Sequence, residues 1–261
     1  MKIEEILKSS GIERLDAEVL LAHAIGKTRE WLFVHPEKDI DTDQFDALVE
    51  KRKQNEPVAY IVGAQEFYGR DFIVDSRVLI PRPSTERLID LYLDFTKDQE
   101  ECVRSLDTKV IGVARKFGNL SDATTLVDIC TGSGCIAITL AIETNKKIIA
   151  IDISQEAIDV SKENAKTHGV EDRIDFRLGS FTDPISNLTE PFVVISNPPY
   201  VPEDEPLMAD VSEFEPKIAL FSGPDGSEAV VKIFSSLKRL ESCKGCVIEC
   251  RDTHLELLSM K

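Results

Sequence analysis

Seven residues, Asp128-Ile129-Cys130-Thr131-Gly132-Ser133-Gly134, follow a short apolar run and lead into an apolar helical pattern. A glycine-rich turn lets backbone approach a ligand closely. The helix start behind it presents unpaired N–H groups. Asp152 ends the next apolar run, 18 residues after Gly134. A carboxylate there can accept hydrogen bonds from ribose hydroxyls. By spacing alone, Gly132-x-Gly134-x-x-Ala137 also satisfies the dinucleotide fingerprint. The pattern points to a nucleotide-type ligand and leaves NAD and S-adenosylmethionine both open. The bland alternative is a plain strand-to-helix turn with Asp152 on the surface.

A second constellation is Ser196-Asn197-Pro198-Pro199-Tyr200, just after the apolar run 192–196. Ligands of an open parallel sheet bind beyond the carboxyl ends of its strands, so Asn197 is expected at the same edge as Gly132 and Asp152. Two prolines stiffen the turn. The Asn197 side-chain carbonyl and the Pro198 backbone carbonyl can both accept from one NH2 group. Tyr200 would pack beside a planar amide or amine. A nitrogen so held, facing an electrophilic methyl, is in a near-attack geometry. A rigid Pro-Pro turn without chemistry is the competing reading.

The elements that must position these residues follow from periodicity. Residues 1 to about 55 read as helices: Ile3, Ile6 and Leu7, then a stripe through Leu15, Val19 and Ala22 with Leu21, Ala24 and Ile25, then Phe45, Leu48 and Val49. Gly26 is a helix stop, and Asp41 or Thr42 a cap. Residues 57–80 are β-branched and aromatic, broken by Gly63 and Gly69, which suggests a hairpin or extended connector. Ser84 or Thr85 can cap the helix that follows Pro81 and Pro83. From about 124, five short strands alternate with helices, which means a parallel sheet covered on both faces. The charged stretch of about 94–123 reads as a solvated helix plus loop.

Composition narrows the function classes. Of 261 residues, 31 are Lys or Arg and 47 Asp or Glu, a formal charge of −16. Phosphate contacts need basic residues, so a nucleic-acid-binding surface is not expected. No apolar run is long enough to span a membrane. The first 20 residues carry charges throughout, so no secretory signal is expected and the cytoplasm is the expected compartment. The six cysteines are then expected as reduced thiols. Cys243 and Cys246 form one CxxC, but a structural zinc site wants two such pairs, so no metal is expected. Nothing demands more than a monomer.

The Asp-x-x-Thr-Gly-Ser-Gly turn, the acid after the second strand and Ser-Asn-Pro-Pro-Tyr together resemble the signature of S-adenosylmethionine-dependent amino methyltransferases. The segments 29–40, 57–72, 78–90 and 213–226 resemble the bacterial release factor glutamine methyltransferases, the HemK/PrmC family. The resemblance covers nearly the whole chain except about 94–123. It implies an α/β fold, a Rossmann-like methyltransferase sheet with a small N-terminal helical domain. The domains implied are a helical substrate-recognition domain at 1–56, a hairpin connector at 57–80 and a methyltransferase domain at 81–261, short at its C-terminus. It implies methyl transfer from S-adenosylmethionine to the side-chain amide nitrogen of the glutamine in the Gly-Gly-Gln motif of class 1 release factors. Asn197, Pro198 and Tyr200 match the catalytic segment. Pro199 and Arg82 join them on the substrate side. Asp128, Thr131, Gly132, Ser133, Gly134, Asp152, Ser180, Phe181 and Asn197 match the cofactor site. Pro81, Arg82 and Pro83 match a loop that closes over the site, supported by Glu215 and Pro216.

The chain departs from that pattern at three positions. Cys130 stands where the family has Gly, Ser84 where it has Glu, and Ser180 where it has an acid facing the adenine amino group. Relatives also continue past the fifth strand into a further helix and strands that finish the sheet. Rival functions are a glutamine methyltransferase of a ribosomal protein, a nucleic-acid adenine methyltransferase, a NAD-binding oxidoreductase that leaves Ser-Asn-Pro-Pro-Tyr unexplained, and a non-catalytic binding protein. In the leading reading the amide nitrogen attacks the sulfonium methyl in one in-line displacement that releases the sulfur as S-adenosylhomocysteine, and no general base is identified.

Overall fold

The computed structural model describes residues 1–95 and 102–259. It divides into two compact units, Met1–Ala64 with Leu207–Phe214, and Gln65–Pro206 with Glu215–Lys261. The first unit is helical: α1 (Ile3–Ser9), α2 (Arg14–Ala24), α3 (Arg29–Val34), α4 (Asp43–Lys53) and α5 (Val58–Val62). Its core gathers Ile3, Ile6 and Leu7 with Ala17, Leu20, Leu21, Leu32, Phe45 and Val49. The buried face of α2 therefore runs through Ala17, Leu20 and Leu21, and Leu15 is 54% exposed. Periodicity missed α3, whose start is capped by Thr28 Oγ1 accepting from Trp31 N at 3.3 Å. The segment expected as extended at 58–62 is helical instead. Pro57 sits at its N-cap and Gly63, at φ +74°, ends it.

The hairpin expectation holds only for β1 (Ala64–Phe67) and β2 (Arg70–Ile73). Both turn residues, Tyr68 and Gly69, have positive φ, the mirror-image turn whose twist matches that of the strands. Next, α6 (Pro83–Phe95) begins at Pro83, a residue whose fixed φ and missing N–H suit a first helical position. Ser84 and Thr85 are thus inside the helix and do not cap it.

The expectation for 94–123 is corrected where the structure describes it. The stretch forms β3 (Cys102–Ser105) and β4 (Val110–Lys116), an antiparallel pair. The signal lay in Val110-Ile-Gly-Val-Ala114, a β-branched run short enough to be hidden among charges. Ile111, Val113 and Ala114 are buried, and at Gly112 an added Cβ would stand 2.7 Å from Leu91 Cδ2. Residues 96–101 lie outside the described residues.

The alternating pattern then appears as read: β5 (Thr125–Ile129), α7 (Cys135–Glu143), β6 (Lys147–Asp152), α8 (Gln155–Thr167), β7 (Ile174–Leu178) and β8 (Phe192–Ser196). It continues with α9 (Ala209–Phe214), which belongs to the first unit, then α10 (Lys217–Leu220), α11 (Glu228–Leu237), β9 (Cys243–Arg251) and α12 (Leu255–Ser259). The seven-stranded sheet has the order β3-β4-β9-β8-β5-β6-β7. The five strands from β5 onward are mutually parallel. The side of β9 away from β8 is taken by β4, running antiparallel and drawn from before β5 in the chain.

One face of the sheet packs against α6, α7 and the hairpin through Leu88, Tyr92, Ile138, Leu140, Phe67 and Phe72. The other packs against α11 through Val230, Ile233, Phe234 and Leu237. Strands buried on both sides explain why their sequences lack alternation. Cys243, Cys246 and Cys250 lie in this second core. Among the described residues no helix is long and apolar enough to cross a membrane, and no cluster of His, Cys, Asp and Glu could hold a metal ion.

Candidate active site

The carboxyl ends of β5, β6 and β8 bring the glycine turn, Asp152 and Asn197 to one edge of the sheet. Asp128 does not reach the surface there. It is fully buried, and its Oδ2 accepts from Thr131 Oγ1 at 2.6 Å and from Ala137 N at 3.1 Å. It clamps the turn to the first turn of α7 from beneath. Burial pushes its carboxyl up to about 7. Asp152 completes the turn from β6: Oδ2 accepts from Gly132 N at 2.9 Å and Oδ1 from Ser154 N at 3.0 Å. Burial raises its pKa also.

Gly134, at φ +81°, caps α7 where a Cβ would lie 2.9 Å from Ser161 Cβ on α8. Only glycine lets α8 come so close to a left-handed turn. The buried Asn164 of α8 braces the same turn, donating to Ser133 O at 2.8 Å while its Oδ1 accepts from Ile73 N at 2.7 Å.

A cavity of about 430 Å³ opens beside the turn. Of the residues singled out in the sequence, Gly132, Asp152, Ser180, Phe181, Asn197 and Pro199 line it, with Cys130. Asp128, Thr131, Ser133, Gly134, Pro198, Tyr200 and Arg82 are not in its lining. Cys130 adopts φ +63°, the conformation that favours glycine, and burial pushes its thiol pKa well up. Lys232 Nζ stands 5.1 Å from the Phe181 ring centroid. Apart from its own backbone and its two chain neighbours, no described atom lies within 4 Å of where a Gly132 Cβ would be, so the turn is open there. Open backbone, an acid at the second strand's end, an aromatic ring and apolar walls from Ile151, Ile153 and Phe221 fit a nucleoside.

Behind Asn197 lies a buried network. Asn197 Nδ2 donates to Thr85 Oγ1 at 2.9 Å, Thr85 Oγ1 donates to Glu249 Oε2 at 2.9 Å, and Tyr200 OH donates to Glu249 Oε1 at 2.8 Å. Glu249 is 0% exposed, and burial pushes its carboxyl up to about 7 against the pull of these bonds. Burial and Glu249 together raise the Tyr200 phenol pKa strongly. Glu215 ties down the loop before α6, accepting from Ile80 N at 3.1 Å and pairing with the Arg82 guanidinium.

Sequence reasoning did not single out Glu249 or Asn164, and it gave Thr85 only a capping role. A signal for Glu249 existed: it is the one charge in the otherwise apolar run Gly245–Cys250. Asn164 carries none, since nothing in a helical pattern marks which polar residue faces inward.

A model of the PrmC N-terminal domain matches residues 1–63, and a model of a methyltransferase domain matches 120–255. The release factor glutamine methyltransferase of Koribacter versatilis is 36% identical over 84% of this chain and 72% of its own length. The bifunctional methyltransferase of Rickettsia bellii is 38% identical over 90% of this chain, which spans 44% of that longer protein. Among solved structures, the catalytic domain of hMettl16, bound to an RNA hairpin, shares the fold at a TM-score of 0.51 and 13% identity, covering 83% of this chain and 80% of that one. These matches and the sheet, turn and pocket place the chain in a family of S-adenosylmethionine-dependent methyltransferases. The chain belongs to the release factor glutamine methyltransferase family.

Proposed function

We propose that this chain transfers a methyl group from S-adenosylmethionine to the side-chain amide nitrogen of the glutamine in the Gly-Gly-Gln motif of class 1 peptide chain release factors. The observation that carries this reading is the placement of Asn197. It lines the same cavity as Gly132 and Asp152, and its Nδ2 is already engaged by Thr85, while among the described residues no donor engages Oδ1. That oxygen and the Pro198 carbonyl suit the two N–H groups of a primary amide. The bound cofactor supplies an electrophilic methyl. Gly132 and Asp152 would hold its ribose end, and Ser180 and Phe181 its adenine. The remaining turn residues, Thr131, Ser133 and Gly134, and the buried Asp128 would keep the turn in shape.

An amide nitrogen is a poor nucleophile because its lone pair is delocalised. Two acceptors on its N–H groups draw density toward nitrogen and fix its direction, so orientation is the chain's main contribution. Pro199 walls the cavity, Tyr200 holds the turn against Glu249, and Arg82 holds the preceding loop against Glu215. In this reading the chain acts as a monomer in the cytoplasm on a protein and not on nucleic acid. The charge of −16 supports the last point.

The test is mass spectrometry of a class 1 release factor incubated with the chain and S-adenosylmethionine. One added methyl on the Gly-Gly-Gln glutamine is expected. Asn197→Ala should lose it while keeping S-adenosylhomocysteine affinity within a few-fold. An unmethylated glutamine alongside tight cofactor binding would overturn the substrate. Undiminished turnover in Asn197→Ala would overturn the site.

A further inference from the structure

We propose that Thr85 and Glu249 act as a positioning relay that sets the amide of Asn197 with its oxygen toward the substrate. The inference rests on the reading of Asn197 as the residue that grips the glutamine amide. It adds two residues, from α6 and β9, that neither motif contains.

The argument is one of hydrogen-bond direction. Above the Glu249 pKa of about 7 its carboxyl is ionised, and an ionised carboxylate only accepts. Thr85 has a single hydroxyl proton, and Glu249 Oε2 lies 2.9 Å away to take it. The Thr85 oxygen can then offer only lone pairs to its other neighbour. Asn197 sits at 2.9 Å on that side. Only the NH2 end of Asn197 satisfies a lone pair, so the carbonyl end must face the other way. With the amide reversed, two acceptors would meet in a buried place, where an unpaired polar group is costly. Thr85 is 2% and Glu249 0% exposed, so water cannot readily substitute.

The second carboxylate oxygen does parallel work. It accepts from Tyr200 OH at 2.8 Å, three residues further along the same turn. One buried acid thus fixes both ends of Asn197-Pro-Pro-Tyr200 against the sheet. A purely structural acid would be served as well by any two donors. Here both donors lead directly to the turn that the chemistry needs.

The test separates the relay from the function. In side-chain 15N–1H spectra of the full chain, the Asn197 NH2 pair is assigned by its loss in Asn197→Asp. The pair should carry one hydrogen-bonded, slowly exchanging proton. Thr85→Val keeps the volume but removes the hydroxyl, so that proton should lose its protection, and Thr85→Ser should regain it. On the release factor, Thr85→Val should lower kcat by on the order of 10²-fold, the scale of a small misplacement of reacting groups. S-adenosylhomocysteine affinity should stay within about twofold, and Thr85→Ser should recover most of the lost turnover. If Thr85→Val does not fold, Thr85→Ala serves in its place. An unchanged Asn197 pair in the folded variant overturns the relay, as does an unchanged kcat. Should the unaltered chain methylate no glutamine, the proposed substrate falls, and the spectra alone still decide the relay.

Discussion

Glu249→Gln should alter the pH dependence of stability in a calculable way. Burial holds this carboxyl at about 7 against an ordinary 4.5. Between those values the folded chain keeps a proton that the unfolded chain has released. The stability this contributes is fully present below the unfolded pKa and is lost as pH rises through the folded one. Between about pH 5 and about pH 8 the loss is about 2.5 kcal/mol. The side chain is fully buried, so solvent does not screen this value. Thr85, Tyr200 and Arg82 oppose the shift and Asp107 adds to it. Glutamine has no proton to lose, so the variant should lack this term. The assay is urea unfolding of both proteins near the two pH values. Asp75, Asp225 and Glu205, whose pKa values are lowered, impose the opposite slope, while Asp128 imposes the same one. All are present in both proteins and cancel in the difference. If the two chains change stability with pH alike, within about 0.5 kcal/mol, the carboxyl is not held as argued.

Substitutions at two further residues probe the scaffold of the site. Gly226 has φ +80°, and a Cβ there would stand 2.3 Å from the Tyr200 carbonyl oxygen. Gly226→Ala should push the Asn-Pro-Pro-Tyr turn out of place, costing about 1–3 kcal/mol in urea titrations and lowering kcat more than cofactor affinity. Among the described residues, Arg82→Ala leaves the Glu215 carboxylate, its side chain 1% exposed, with only the Ile80 N–H. A loss of about 2 kcal/mol is expected by thermal or urea unfolding, below the range for a fully buried pair because Arg82 is one-third exposed. Arg82→Lys should restore only part of it, since a point charge replaces a planar fork.

The parts legible in the sequence are those where one physical rule dominates. Ser154 reads as a cap because its hydroxyl has one obvious use, and it accepts from Ala157 N at 3.2 Å. Strands β5, β6, β8 and β9 read correctly because burial on both faces leaves largely continuous apolar runs. Where two rules compete, local reading fails. The segment 58–62 has β-branched residues but lies between a proline N-cap and a glycine C-cap, and the caps win. Strand β4 carries its apolar signal only in Val110–Ala114, among charges, and pairing with both β3 and β9 makes it a strand. The candidate site divides in the same way. Asn197, Gly132 and Asp152 announce themselves by turn chemistry. Thr85 and Glu249 are joined only by the fold, 164 positions apart in the chain.

The pairing of β4 with β9 also bears on the order in which the molecule can be assembled. In an emerging chain, β3 and β4 are complete about 130 residues before β9 exists. At about 5–20 residues per second, synthesis leaves one edge of β4 without its neighbour for on the order of ten seconds. During that interval Ile111, Val113 and the backbone groups of β4 are open to mispairing or to a chaperone. The parallel strands β5, β6 and β7 can pair as they appear, whereas the β9 edge closes last and brings Glu249 with it. The cofactor edge and the acid behind Asn197 would therefore be acquired at different times, with the nucleoside pocket in place before the turn beside it is locked.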